Sequence, residues 1–357
     1  MMDKDEILNA LRKVIDPEIG RNIVEMGMVR DLTLHGDGRL SFTLALTVPT
    51  CPMKEQIAFN ARQVLRSLGF EQVEITFGAM SDEERRAVLA NAAPQLPKLN
   101  AFNQVQRVIA VMSGKGGVGK SSLTALLAVE LTRRGWKTGI LDADLTGPSI
   151  PHFFGLPAGG LRGSEQGILP AVTRQGIRVV STNLLLPEAD QPVVWRGALI
   201  SATIQQFWTQ VLWGKLDVLL VDLPPGTSDA ALTVLRTLPV NGVVLVTAPQ
   251  GLSALVVRKA VHMLQTLAIP ILGVVENYSF FRCPADGHEY AVFGASHVQE
   301  ICEAAGAPLL ARLPIDPQLT ELCDSGRAGE VYLPELSAVV ERIQQVAAVR
   351  TQPPLPA

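Results

Sequence analysis

The chain has 357 residues, 47% of them hydrophobic and 18% charged, with a formal net charge of −3. That balance supplies a sizeable apolar core and argues against disorder, and without a long basic run it lacks the electrostatic footprint of nucleic-acid binding. No apolar stretch reaches the roughly 18 to 20 residues that span a bilayer, and Met1-Met2-Asp3-Lys4-Asp5-Glu6 lacks the basic-then-apolar form of a signal peptide, so a cytoplasmic protein off the membrane is expected.

At roughly 100 to 200 residues per domain, two units are expected. Residues 1–80 read as a small α+β unit. Ile7, Leu8, Leu11, Val14 and Ile15 recur at helical spacing over 5–14, and Asp16-Pro17-Glu18-Ile19-Gly20 ends that helix. Strand-like runs 28–34 and 40–48 flank His35-Gly36-Asp37-Gly38-Arg39, whose Asp-Gly pair signals a hairpin. After Pro49-Thr50-Cys51-Pro52 the pattern predicts an amphipathic helix over 53–68 and a last strand over 72–77. Residues 81–104 read as a linker, with a charged helix-like piece at 81–91 and then Ala93-Pro94-Gln95-Leu96-Pro97-Lys98. Proline there removes N–H donors and disfavours helix at the residue before it.

From 105 to 350, strands predicted at 107–112, 137–142, 177–182, 216–222, 242–248, 270–276 and 307–312 alternate with helical segments. Continuous apolar strands in that alternation predict an α/β domain, a mostly parallel sheet covered by helices on both faces. Its ligands should sit at the carboxyl ends of the strands. Residues 351–357 read as a frayed tail.

Between the strand at 107–112 and a helix predicted over 123–134 lies Gly114-Lys115-Gly116-Gly117-Val118-Gly119-Lys120-Ser121-Ser122. A strand that enters a glycine-rich loop and leaves as a helix aims backbone N–H groups and a helix N-terminus at one anion. The loop is therefore expected to cradle ATP, with Lys120 reaching the β- and γ-phosphates and the Ser121 hydroxyl on Mg²⁺. Leu219-Leu220-Val221-Asp222 ends an apolar strand in a carboxylate, as a Walker B aspartate must to hold the Mg²⁺. Ile140-Leu141-Asp142-Ala143-Asp144 ends another strand with two carboxylates, which can orient a water for in-line attack or help hold the metal. For Asp142, capping of a following helix is the alternative.

Lys115 ahead of Lys120 resembles the deviant Walker A loop of the MinD/ParA/ArsA/nitrogenase-iron-protein class of dimeric P-loop ATPases. More narrowly, Leu141-Asp142-Ala143-Asp144-Leu145-Thr146-Gly147-Pro148-Ser149-Ile150-Pro151, Val194-Trp195-Arg196-Gly197, Val221-Asp222-Leu223-Pro224-Pro225-Gly226-Thr227-Ser228-Asp229 and Val275-Glu276-Asn277 resemble the Mrp/ApbC family of iron-sulfur cluster carriers over residues 101–345. Residues 5–78 resemble the small iron-sulfur-assembly domain often fused ahead of these ATPases, with Asp16-Pro17-Glu18 and Thr50-Cys51-Pro52 as its marks. The resemblance implies a homodimer that sandwiches ATP, with Lys115 reaching across to the partner's phosphates, Asp144 orienting the water and Asn277 reading adenine. It implies slow hydrolysis coupled to conformational change, with Pro224-Pro225-Gly226-Thr227 as the switch that senses the γ-phosphate. It also implies delivery of clusters to apoproteins, with cluster scaffold proteins as further partners. Two other classes stay open: a positioning ATPase whose ATP-bound dimer binds membrane or DNA, and a scaffold that binds nucleotide only to set its dimer state. The first wants a terminal basic amphipathic helix or a basic surface, and 336–349 holds few basic residues.

Cys51, Cys283, Cys302 and Cys323 are too irregularly spaced for a secreted disulfide framework. The family's cluster site is a Cys-x-x-Cys pair from each subunit, whereas Cys283-Pro284-Ala285-Asp286-Gly287-His288 has Asp286 in the second position. Two subunits then offer two thiolates where an all-thiolate four-iron cluster needs four. Asp286 or His288 completes the set as harder ligands, or an external thiol or partner supplies the rest, or Cys283 is an ordinary loop residue. Cys51 reads either as a thiol activated at a helix N-terminus or as a buried structural residue. Cys302 and Cys323, in helical patterns, are expected to be packing residues, and Arg196 is a candidate contact to a phosphate or the partner subunit.

Overall fold

The computed structural model describes residues 3–16, 21–35, 38–47, 54–81, 84, 99–145, 147–185 and 197–348. The chain divides into two units, Met1–Gln95 and Leu96–Ala357. Several residues singled out in the sequence lie outside the described ones: Pro17 and Glu18, Thr50-Cys51-Pro52, nearly all of the piece at 81–91, Thr146, Val194-Trp195-Arg196 and the tail.

In the small unit, α1 (Lys4–Leu11) is followed by the antiparallel strands β1 (Val29–Leu34) and β2 (Leu40–Leu46), then α2 (Lys54–Ser67) and β3 (Val73–Ala79). β3 runs parallel to β2 in unbroken register, from Leu40 opposite Val73 to Leu46 opposite Ala79, because α2 serves as the crossover that a parallel pair requires. The helices bury Ile7, Leu11, Ile57, Ala61 and Leu65 with Leu40, Phe42 and Leu44 of β2. β1 is bulged between Arg30 and Thr33, where Asp31 adopts φ +52°.

The larger unit starts with β4 (Gln104–Val105) and β5 (Val108–Ser113), then α3 (Lys120–Arg133), β6 (Thr138–Asp142) and α4 (Ile150–Phe153). Short strands follow: β7 (Arg162–Ser164), β8 (Gly167–Leu169), β9 (Ala171–Val172) and β10 (Arg178–Val180). Next come α5 (Gly197–Gln210), β11 (Lys215–Leu216), β12 (Val218–Asp222), α6 (Asp229–Thr237), β13 (Gly242–Thr247), α7 (Gly251–Thr266) and β14 (Ile271–Arg282). β15 (Glu289–Tyr290), α8 (Val298–Ala305), β16 (Leu309–Pro314), α9 (Pro317–Asp324) and α10 (Ser337–Gln344) complete it.

Among the described residues, nine strands form one sheet in the order β15-β14-β13-β5-β12-β6-β10-β9, with β16 paired to β14. All pairings are parallel except those of β9 and β15. β5, β6, β12 and β13 are buried along their whole length, and alternate residues point to two cores. Ala110, Met112, Leu219, Val221 and Leu245 face one core, and Ile109, Val111, Leu220, Val244 and Val246 the other. The unit is therefore an α/β domain with a mostly parallel sheet buried on both faces, which is why its strands read as continuous apolar runs.

The linker drawn to 104 ends earlier. Asn103 is buried, with its amide donating to the Val211 carbonyl at 2.7 Å and accepting from the Gly214 N–H at 2.9 Å, and β4 pairs with β11. These partners lie more than 100 residues downstream, so local composition carries no sign of them. Among the described residues, no helix is long and apolar enough to cross a membrane.

Candidate nucleotide-binding site

β5 ends at Ser113 and α3 begins at Lys120, and the glycine-rich loop between them needs its glycines for two distinct reasons. Gly117 and Gly119 take φ +79° and +77°, the left-handed region that side chains disfavour. At Gly114 the constraint is space, because a Cβ would lie 2.6 Å from the backbone nitrogen of Val257 in α7.

Starting the helix at Lys120 turns its side chain onto the end of β12. The Lys120 Nζ lies 2.7 Å from Asp222 Oδ2, and the Ser121 hydroxyl donates to the same oxygen at 2.6 Å. The Thr124 hydroxyl, one turn along α3, donates to Asp222 Oδ1 at 2.8 Å. Asp222 sits opposite Asp142 in the β12–β6 register, and both carboxylates are fully buried. Burial first, and the Asp222 charge second, push the Asp142 carboxyl up to about 8, so it carries a proton at neutral pH. Asp142 accepts from the Ser181 hydroxyl at 3.0 Å and from the Ile150 N–H, the first of α4, at 3.2 Å. These contacts give it the helix-capping duty named as its alternative.

Asp144, half-buried just past β6, accepts the Gly147 N–H at 3.3 Å. Lys115 is exposed, and its carbonyl accepts the Ser113 hydroxyl at 3.0 Å. The segment after β12 runs beside the loop: Gly226 N–H donates to the Ser113 carbonyl at 2.8 Å, and a Cβ on Gly116 would lie 3.8 Å from the Pro225 ring. Asn277 is buried at the loop's floor, where its Nδ2 donates to the Val118 carbonyl at 3.0 Å and its Oδ1 accepts the Tyr278 N–H at 3.0 Å. Lys120, Ser121, Asp222 and Asn277, distant in sequence, thus share one site. Sequence reading missed Thr124, although a polar residue ahead of Ala125-Leu126-Leu127-Ala128 on a buried helix was its signal. It also missed Tyr278, for which no sequence signal exists.

Cys283 lies at the turn between β14 and β15, well along the chain from the loop. The turn is closed by Cys283 N–H to the His288 carbonyl and Gly287 N–H to the Cys283 carbonyl, both 2.9 Å. Asp286 is exposed, and its carboxyl is held below the usual range by the His288 N–H, 2.9 Å from Oδ1, and by the Cys283 thiol. Among the described residues, no three His, Cys, Asp or Glu side chains converge to hold a metal ion. Cys302 and Cys323 are buried, and burial raises both thiols, Cys323 to about 11.

Residues 104–349 match the family model of the NUBPL iron-transfer P-loop NTPase, a span that contains the whole site. The chain belongs to this family. As an iron-transfer P-loop NTPase it also carries, over residues 4–77, a match to the iron-sulfur cluster assembly protein model. The iron-sulfur cluster carrier protein of Synechocystis sp. is 39% identical over 97% of this chain and 96% of its own length. That of Deinococcus radiodurans is 38% identical over 99% and 98%. A solved nucleotide-binding protein of Archaeoglobus fulgidus, in complex with ADP, is 46% identical over 65% of this chain and 90% of its own, with a TM-score of 0.58.

Proposed function

We propose that this P-loop NTPase is a cytoplasmic homodimeric ATPase that carries iron-sulfur clusters and hands them to apoproteins. The observation that carries the reading is the meeting of Lys120, Ser121 and Asp222 at the carboxyl ends of β5 and β12. The relatives named as carriers match both units end to end.

The residues present fit Mg²⁺: the Ser121 hydroxyl and the Asp222 carboxylate are two hard oxygens 2.6 Å apart. Bound there, Mg²⁺ supplies charge neutralisation at the phosphate oxygens. Lys120 moves its ammonium from Asp222 to the β- and γ-phosphates, and the loop N–H groups hold the remaining charge. Asp144 orients the water that attacks the γ-phosphorus as the bond to the β–γ bridging oxygen breaks. Lys115, exposed on the loop, serves the second copy's phosphates as the leaving oxygen gains charge. Asn277 spends one N–H and one lone pair on the protein, and the other N–H and lone pair are left for the adenine edge. Turnover is slow because the water, Asp144 and the second Lys115 align only in the closed dimer.

The cluster is cargo. Each copy brings one thiolate, Cys283, so the remaining iron ligands come from the second copy and from a thiol outside the chain. The test combines two measurements on protein purified without oxygen. Wild type should release phosphate slowly from Mg-ATP while Lys120→Ala and Asp144→Ala fall to background, and Cys283→Ala should lose the iron and acid-labile sulfide that wild type holds. Equal phosphate release from all three proteins would remove the catalytic roles, and an unchanged iron content in Cys283→Ala would remove the cluster site.

A further inference from the structure

β14 is a twelve-residue strand that does two jobs. Its first half pairs in parallel with β13 and β16 inside the sheet, and its last two residues pair with β15, Phe281 opposite Tyr290 and Arg282 opposite Glu289. Between the two halves lies an irregularity: the register with β16 shifts between Glu276 and Phe280, and Tyr278 adopts φ +57°. An aromatic residue in the left-handed region is strained, and such strain persists only where the surroundings hold it in place.

The phosphate loop is one of those surroundings. Asn277 is bonded to the Val118 carbonyl, and a Cβ on Gly119 would collide with the Asn277 amide and lie 3.0 Å from the Tyr278 hydroxyl. No side chain separates the loop from the strand at this point. The residue before, Glu276, is fully buried and faces the other way along the chain. Its Oε1 accepts the Ser296 hydroxyl at 2.5 Å, its Oε2 accepts the Ser279 hydroxyl, and the Arg312 Nε stands 2.7 Å from that serine oxygen. The Ser296 oxygen in turn accepts the Val298 N–H at 3.2 Å, fixing the start of α8.

Cys283 therefore sits on an excursion whose two ends are tied to one dipeptide. The outgoing end is β14 itself, which covers about 20 Å from Asn277 to Cys283 at roughly 3.3 Å per residue. The returning end is Ser296 on Glu276. We infer that Glu276 and Asn277 are positioning residues that couple the phosphate loop to the Cys283 turn, so that nucleotide in the loop resets the exposure of the Cys283 thiol. A shift of the Val118 carbonyl pulls on Asn277, and the strained Tyr278 is the point where the strand can change its path. Glu276 carries the same displacement to Ser296. This deepens the functional reading above, because its trigger is the nucleotide proposed there.

The experiment uses full-length protein stripped of iron, with Cys283 alkylation followed by peptide mass spectrometry in buffer, with Mg-ADP and with Mg plus a non-hydrolysable ATP analogue. Calorimetry on the same samples reports nucleotide binding separately. Wild type should change its Cys283 rate by about fivefold or more on saturation, the lower end of ordinary coupling between sites. Ser296→Ala should bind nucleotide as tightly as wild type and lose the response at Cys283, and Ser296→Thr, which keeps the hydroxyl, should retain it. Saturated wild type with an unchanged Cys283 rate, an undiminished response in Ser296→Ala, or loss of the response in Ser296→Thr would overturn the coupling alone. Absence of nucleotide binding in wild type would overturn the functional reading as well.

Discussion

Replacing Lys120 by alanine should destabilise the larger unit strongly, because it leaves a buried carboxylate without its counter-ion. Lys120, 6% exposed, is the cation paired with a carboxylate that is wholly buried. Removing one partner of a buried ion pair costs about 3–5 kcal/mol. An exposed ion pair would cost no more than about 1 kcal/mol, so the size of the loss separates a buried pair from a surface one. Urea unfolding followed by tryptophan fluorescence measures this unit, because all four tryptophans, Trp136, Trp195, Trp208 and Trp213, lie in it. A loss under about 1 kcal/mol would refute the buried-pair account.

Site-resolved alkylation at pH 8 should label half-buried Cys283 at least about tenfold faster than Cys302 and Cys323, since reactivity follows exposure and thiolate content and burial raises the latter two thiols; comparable rates would show those helices opening readily. Asp142 supplies a pH signature of its own. Its folded value near 8 exceeds the unfolded value of 3.8, so the folded protein binds the extra proton, and this contribution to stability is full below about pH 4 and lost as pH rises toward about 8. Asp142→Asn should flatten the decline in urea stability between pH 5 and pH 8, and an identical slope in both proteins would place the titration elsewhere.

The elements that sequence made legible are those whose signal is local. β13 and β12 are uninterrupted apolar runs because the sheet is covered on both faces, and α8 and α9 carry a helical period over the spans they adopt. β14 was read only to 276, because Asn277-Tyr278-Ser279 breaks the apolar run. Its continuation is held by pairing with β15 and β16, strands that come later in the chain. The β7–β8 hairpin has strands of three residues each, too short for an alternating pattern to announce it, and β7 is exposed along its length. In the site, the loop was legible from its glycine and lysine spacing together with the apolar strand before it and the helix after it, since the cradle is made by backbone. Partnerships between distant side chains were not. The bond of Asn277 to Val118 spans 159 residues, and that of Thr124 to Asp222 spans 98.

The charge balance of the site fits the proposed binding of a nucleotide together with a metal. With Asp142 protonated, Asp222 and Lys120 form a neutral pair, and the Ser121 and Thr124 hydroxyls complete the carboxylate's shell. A triphosphate that draws Lys120 away leaves Asp222 with hydroxyl donors only, a buried charge without its counter-ion. The Ser121 oxygen beside Asp222 gives that position two hard oxygen donors, so these two residues would hold the Mg²⁺ of the proposed reaction, whose charge would offset that of Asp222. Asp142 has no such exchange available to it, since its hydrogen-bond partners are the Asp144 and Ile150 N–H groups and a serine hydroxyl. On the proposed reading the two adjacent carboxylates would divide the work: one holds its proton and fixes the backbone, and the other would trade one cation for another.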